Sequence, residues 1–164
     1  MAVATQWNLR PMQTDCLASL EGCGKSPLVR RLLAQRGING GEEAERFLNP
    51  KLKELGDPFA LPDMAAAVTR LLQAIRAGEK IMVHGDYDVD GVTSLTLLHT
   101  LLQAYGLTAR CFLPLRMEEG YGLSREGLLR CLAEGPVSLL IAVDCGTTAK
   151  DETAWLKSQG IDVI

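Results

Sequence analysis

Three carboxylates stand within five residues of one another, Asp86, Asp88 and Asp90, in the stretch Lys80-Ile-Met-Val-His-Gly-Asp-Tyr-Asp-Val-Asp-Gly-Val-Thr-Ser94. Like charges this close repel, and an apolar domain gains nothing by collecting them. A bound cation relieves the repulsion, and hard oxygen ligands favour Mg²⁺, Mn²⁺ or Ca²⁺. A second stretch, Leu139-Leu-Ile-Ala-Val-Asp-Cys-Gly-Thr-Thr148, also carries an apolar run into a carboxylate, Asp144, and a glycine turn. Taken alone, Asp144 serves equally well as the cap of a following helix. Beside an existing acidic cluster it reads as a further metal ligand.

Elements on either side must bring these acids together. The short apolar run Ile81–Val83 has the length and flanks of a buried strand, and it empties into His84, Gly85 and the three acids. Further strands are expected over Ala109–Leu113, Ser138–Val143 and from Ile161 onward, with helices over about 91–105, 124–133 and 149–158. Short apolar strands alternating with helices predict an α/β fold, a doubly wound and mainly parallel sheet. Ligands gather at the carboxyl ends of strands in such sheets. Asp88, Asp90 and Asp144 are therefore expected to meet on one edge.

Ahead of the sheet the pattern is helical. Ser26-Pro27 gives a cap and a proline at the first helical position, followed by Leu28, Val29, Leu32 and Leu33, with Gly37 as the stop. A second short helix is expected over Glu42–Leu48, closed by Asn49-Pro50. A third follows Pro62, with Met64, Val68, Leu71, Leu72 and Ile75 on one face and Gly78 at its end. The expected organisation is a helical lead-in over residues 1–78 and the first part of a catalytic domain over 79–164. Ile161-Asp-Val-Ile164 opens a strand that stops at its fourth residue, so the chain reads as a piece of a longer protein.

Composition narrows the class. The chain has 164 residues, 47% of them apolar and 23% charged, which is globular rather than disordered. A formal charge of −3 argues against a broad basic face for nucleic acid. A site full of metal ions supplies a positive field locally, so a nucleic-acid substrate stays open. Met1–Arg10 has no apolar core of the signal-peptide kind, and no run reaches membrane-span length. The five cysteines include no CxxC pair; reduced thiols in a cytoplasmic protein are the plainest account.

Other motifs compete for the acids and glycines. Asp86-x-Asp88-x-Asp90-Gly91 imitates the start of an EF-hand loop, but Leu97 stands where its glutamate belongs and a strand stands where its first helix belongs. Asp88-Val-Asp90-Gly-Val-Thr93 resembles the nucleophile loop of haloacid-dehalogenase-type phosphatases, although Gly85 and Asp86 separate it from the strand. Gly22-Cys-Gly-Lys-Ser26 has the tail of a phosphate-binding P-loop, with Ser19 in the place of the leading glycine and no strand before it. The helix cap at Ser26 explains it more fully. His99 reads as a packed or surface histidine.

His84-Gly-Asp-Tyr-Asp-Val-Asp-Gly-Val-Thr-Ser94 resembles motif I of the DHH phosphoesterase superfamily, and Leu139 to Thr148 resembles its motif II. The lead-in Leu32-Leu-Ala-Gln-Arg-Gly-Ile38, Ala44-Glu-Arg-Phe-Leu48 and Leu55-Gly-Asp-Pro58 is similar to that of the superfamily's single-strand-specific exonucleases. So is the linker Glu118-Glu-Gly-Tyr-Gly-Leu-Ser124. The resemblance covers roughly residues 28 to 164, and the name-giving Asp-His-His triplet is expected just past Ile164.

The resemblance implies roles residue by residue. Asp88 and Asp90 would bind the catalytic ions, two of Mn²⁺ or Mg²⁺ in the complete site, and Asp144 would lie between them. His84 matches a metal-binding histidine of superfamily relatives, and Asp86 an auxiliary ligand. Two ions about 4 Å apart lower the pKa of a bridging water and clamp the phosphate in an in-line displacement. The implied activity is removal of 5′-mononucleotides from the 5′ end of single-stranded DNA in repair and recombination. Alternatives are another DHH phosphoesterase, acting on oligonucleotides, cyclic dinucleotides or pyrophosphate, and a non-catalytic DNA-binding factor of the same branch. Arg116 could hold a phosphate and Tyr121 stack on a base; a salt bridge from Arg116 to Glu118 or Glu119 and ordinary loop packing explain them as well. Expected partners are single-stranded DNA and a helicase or single-strand-binding protein, with a monomeric whole protein. The 164 residues alone are expected to bind Mn²⁺ weakly and to cleave little or nothing.

Overall fold

A computed structural model describes residues 14–115 and 117–164, together with Asn8 and Pro11. The chain divides into two compact units, Met1–Asp57 and Pro58–Ile164.

In the first unit, helices α1 (Thr14–Ser19), α2 (Pro27–Ala34) and α3 (Gly41–Leu48) surround a small core of Leu20, Leu33, Ala34, Ile38 and Ala44. Ser26 caps α2 by accepting from the Val29 N–H at 3.4 Å, with Pro27 at the first helical position. That geometry is a helix start, not a phosphate cradle, and no strand precedes it among the described residues. The short α1 was not expected from its sequence.

The second unit carries α4 (Met64–Ala77), β1 (Ile81–His84), α5 (Val89–Ala104), β2 (Arg110–Phe112), α6 (Arg125–Ala133), β3 (Leu139–Ala142), α7 (Lys150–Ser158) and β4 (Asp162–Val163). The four strands are parallel in the order β2-β1-β3-β4. Each expected strand is present, β1 one residue longer than expected and the others trimmed at their ends. The chain leaves β1 toward one side and returns past it to β3, so helices cover both faces. Ile81, Val83, Leu139 and Ile141 pack with Ala74 of α4 and Leu95 and Leu102 of α5. Met82, Leu140 and Phe112 pack with Leu128 and Cys131 of α6 and Leu156 of α7. β1 is buried along its whole length, which is why its sequence runs apolar without alternation.

Helix α4 packs on the sheet through Ala74, Leu71 and Ile75 and so stands with the strands, whereas the lead-in was expected to extend to residue 78. Burial decides this. A fully buried large apolar side chain contributes about 1.5–3 kcal/mol, and Leu71 and Ile75, partly buried beside the buried Ala74, each gain a share of that. The Arg70 pairs with Glu79 and Asp162 are part-exposed, and such pairs add at most about 1 kcal/mol. No helix among the described residues is long and apolar enough to cross a membrane.

Candidate metal centre

β1 and β3 are neighbours whose onward connections run to opposite sides of the sheet. This is the switch point at which an open α/β sheet leaves a crevice at its carboxyl edge. The β1–α5 turn delivers Asp86 and Asp88 there, and the β3–α7 turn delivers Asp144. Carboxylate oxygens of Asp86, Asp88 and Asp144 all lie within 4.8 Å of one another, with Asp86 buried and the other two exposed.

The first turn is built by local chemistry. Asp88 caps α5, its Oδ1 accepting from the Asp90 N–H at 3.0 Å and the Gly91 N–H at 3.1 Å. Gly91 is required because the chain doubles back against the helix: a Cβ there would sit 2.2 Å from the Asp86 carbonyl oxygen. The glycine of the motif thus presses the Asp86 backbone onto the first turn of α5 and turns its carboxylate inward. Asp144 reaches the same place by a different device, a left-handed backbone with φ 58°, a conformation aspartate tolerates better than most residues.

The electrostatics carry the mark of crowding. Partial loss of solvent, then the charges of Asp88 and Asp90, hold the Asp144 carboxyl above the ordinary carboxylate range, with a hydrogen bond to Asp88 and the charge of Asp86 acting the same way. Asp90 therefore acts on the site through its field, though it stands outside the close trio among the described residues. Asp86 Oδ1 is buried without a hydrogen-bond partner. An acceptor in that position, beside two further carboxylates, fits a hard cation.

His84 lies outside the trio and is fully buried. It stacks on Phe112 with ring centroids 5.1 Å apart, and its Nδ1 lies 3.7 Å from Cys145 Sγ. Its Nε2 has no hydrogen-bond partner. Burial lowers its pKa to about 4, against the opposing charge of Glu119. Burial, then the charges of Asp86 and Asp144, pushes the Cys145 thiol up to about 11. Both groups are thus neutral near pH 7. Cys145 therefore has an imidazole beside it, but not as an activated thiolate pair.

The linker after β2 borders the same edge. Arg116 lies outside the described residues. Tyr121 is exposed, and its hydroxyl donates to the Asp144 carbonyl oxygen at 3.4 Å. Loss of solvent, then the charges of Asp86 and Asp144, raises its pKa, so its ring stands beside the acids. Glu119 pairs with Arg130 of α6: Arg130 Nε donates to Oε1 at 2.6 Å and Nη2 to Oε2 at 2.8 Å. Neither Glu119 nor Arg130 was singled out as a site residue. Their pairing depends on how α6 docks, and no local spacing signals it. A cavity of about 370 Å³ opens beside Tyr121, lined by Gly122, Gly146, Thr148 and the start of α7. A larger one, about 750 Å³, lies away from the acids between α4 and β4.

The model of the DHH family, N-terminal domain, matches residues 80–164. Over 165 residues the chain is 39% identical to the single-stranded-DNA-specific exonuclease RecJ of Bacillus subtilis, covering 100% of this chain and 21% of that protein. It is 36% identical over 161 residues to the protein of the same name from Escherichia coli, covering 97% of this chain and 27% of the relative. A crystal structure of exonuclease RecJ bound to manganese superposes with a TM-score of 0.57 at 39% identity, over 63% of this chain and 26% of that one. RecJ from Thermus thermophilus in complex with Mn²⁺ gives a TM-score of 0.57 at 28% identity, over 93% of this chain and 20% of that one. The chain spans well under a third of each of these proteins.

Proposed function

Because the chain belongs to the DHH family, we propose that Asp86, Asp88 and Asp144, with Asp90 and His84 beside them, hold divalent ions, Mn²⁺ or Mg²⁺, in the phosphodiesterase centre of a single-strand-specific DNA exonuclease. The observation that carries this is the convergence of three carboxylates from the tips of two strands within 4.8 Å. In the same reading, residues 79–164 form the first part of the catalytic domain. The reaction proposed for the whole protein is release of mononucleotides from the 5′ end of single-stranded DNA.

Ions bound there supply the positive field that a phosphodiester needs beside carboxylates, and a water acidic enough to attack it. The remaining work falls to the chain. Asp88 is oriented by two backbone amides, so its carboxylate is presented in one direction. Asp86 offers its buried, unpartnered oxygen. Asp144, closely flanked by like charges, gains from a cation. His84 is neutral near pH 7 and so has a lone pair to give. Tyr121 presents an exposed ring at the edge, and stacking on such a ring is worth about 1–3 kcal/mol per base.

The described cysteines are free thiols, which supports a reducing compartment and hence the cytoplasm. Action beside a helicase or single-strand-binding protein fits a substrate that must first be unwound.

The test is isothermal titration of Mn²⁺ into the 164-residue chain, the wild type beside Asp88→Ala and Asp144→Asn. Even outer partners of metal ligands are worth about 10–100-fold in affinity, so both variants are expected to lose binding by at least the upper end of that range. Equal heats from all three proteins overturn the metal centre.

A further inference from the structure

Tyr121 is poorly secured by its own bonds. It sits between Gly120 and Gly122, both in the left-handed region at φ 75° and 76°. These glycines permit the turn without holding it. Its one hydrogen bond given by the structure, to Asp144, is long at 3.4 Å, and its side chain is exposed. On the C-terminal side the linker is anchored by Leu123, buried with Leu128 of α6. On the N-terminal side Pro114 is buried and Leu113 lies against the Gly85 turn, whereas Leu115 and Met117 are exposed, so between Pro114 and Tyr121 no described residue is a buried apolar anchor.

Beyond Pro114, one carboxylate takes that place. The Glu119 side chain is 6% exposed and accepts the Leu115 N–H at 2.7 Å as well as the Arg130 fork. The Arg130 Nη2 also donates to the Leu113 carbonyl oxygen at 3.2 Å, and its guanidinium lies 4.3 Å above the Phe112 ring. Residues 113, 115 and 119 are thereby tied to α6 through a single charge-assisted, two-point pair, the strong form of such contacts.

We propose that Glu119 and Arg130 are positioning residues that hold Tyr121 at the carboxylate edge, ready for the terminal base of a single strand. The base as ligand rests on the function proposed above; the positioning itself does not need a metal. Neither residue touches the acids. They act through the linker backbone.

The experiment uses the 164-residue chain labelled with 3-fluorotyrosine, whose three tyrosines give three ¹⁹F signals, with Tyr121→Phe to assign the relevant one. Arg130→Lys keeps the charge but loses the fork, and Glu119→Gln keeps the shape but loses the charge. In both variants, without metal, the Tyr121 signal is expected to move toward its unfolded-chain position while those of Tyr87 and Tyr105 stay. Mn²⁺ heats are expected to match wild type. A lowered melting temperature with an unmoved Tyr121 signal overturns the proposal, because the pair then serves stability alone. Wild-type amides of Gly120 to Gly122 that exchange as fast as in denatured chain overturn it without any variant. Absent Mn²⁺ heats together with a shifted Tyr121 signal sink the metal reading and leave the pair standing.

Discussion

The two segments that border the carboxylate edge are built by opposite means. The β1–α5 turn is held by its own backbone: Asp88 caps the helix that follows it, and Gly91 lets the Asp86 backbone lie against that helix at a separation no side chain would tolerate. The β2–α6 linker has a turn of its own, the Glu118 and Glu119 N–H groups donating to the Leu115 carbonyl oxygen at 2.9 and 2.8 Å, but remote contacts seat it. It depends on Glu119 meeting Arg130 and on Leu123 entering the core. In the proposed function the first segment sets the ligands that must be rigid for a metal, and the second presents a ring to a base that arrives from solution.

This contrast can be broken most severely at Gly91. A methyl group there would overlap the Asp86 backbone, and neither side of that contact is a flexible side chain. Gly91→Ala is expected to cost about 3 kcal/mol or more, at the upper end of overpacking effects, and to abolish Mn²⁺ binding. Urea unfolding and titration calorimetry read both. An alanine variant with wild-type stability would show that the turn is not held by backbone packing.

His84 lies beneath both segments, stacked on Phe112 and within the field of Glu119. Its folded pKa of about 4 lies below the ordinary 6.5, so between those values the unfolded chain binds the proton more readily. Its contribution is therefore fully present above about pH 6.5 and is lost as pH falls toward 4. At about 1.4 kcal/mol per unit, the loss is about 3 kcal/mol. A set of unfolding curves from pH 7 to pH 4 should show it in wild type and lack it in His84→Phe. Identical acid slopes would place the imidazole in water instead.

Asp88 sharpens the contrast with a smaller effect. Asp88→Ala removes a helix cap worth about 1 kcal/mol together with a proposed ligand. Asp88→Asn keeps the cap, because asparagine accepts the same amides, while removing the charge. Near-wild-type unfolding of the asparagine variant, lowered stability of the alanine variant and loss of Mn²⁺ heat in both would separate the two roles. A matching loss of stability in both would mean that the cap geometry contributes nothing.

Much of the second unit was legible because its signals are local. Apolar runs of strand length bounded by glycine and acids marked β1 and β3, and Gly78 marked the end of α4, as Ser26 marked the start of α2 in the first unit. The meeting of Asp144 with Asp88 followed from a general property of parallel sheets rather than from either residue. What stayed hidden were relations across the chain. The place of α4 on the sheet depends on Ala74 meeting β-strand residues, and its amphipathic pattern does not name the surface it covers. Asp90, indistinguishable from its neighbours in sequence, stands outside the close trio in the first turn of α5 and reaches Asp144 through its charge.

Residue types and spacing were thus sufficient for the parallel α/β class, the acidic turn and the DHH resemblance, since periodicity, capping and glycine placement act over a few residues. Only the folded chain decided which acid faces the crevice, which base lies beside Cys145 and which arginine holds Glu119. Those outcomes depend on how helices dock across a sheet, where burial and distance between remote residues, not sequence spacing, set the energy.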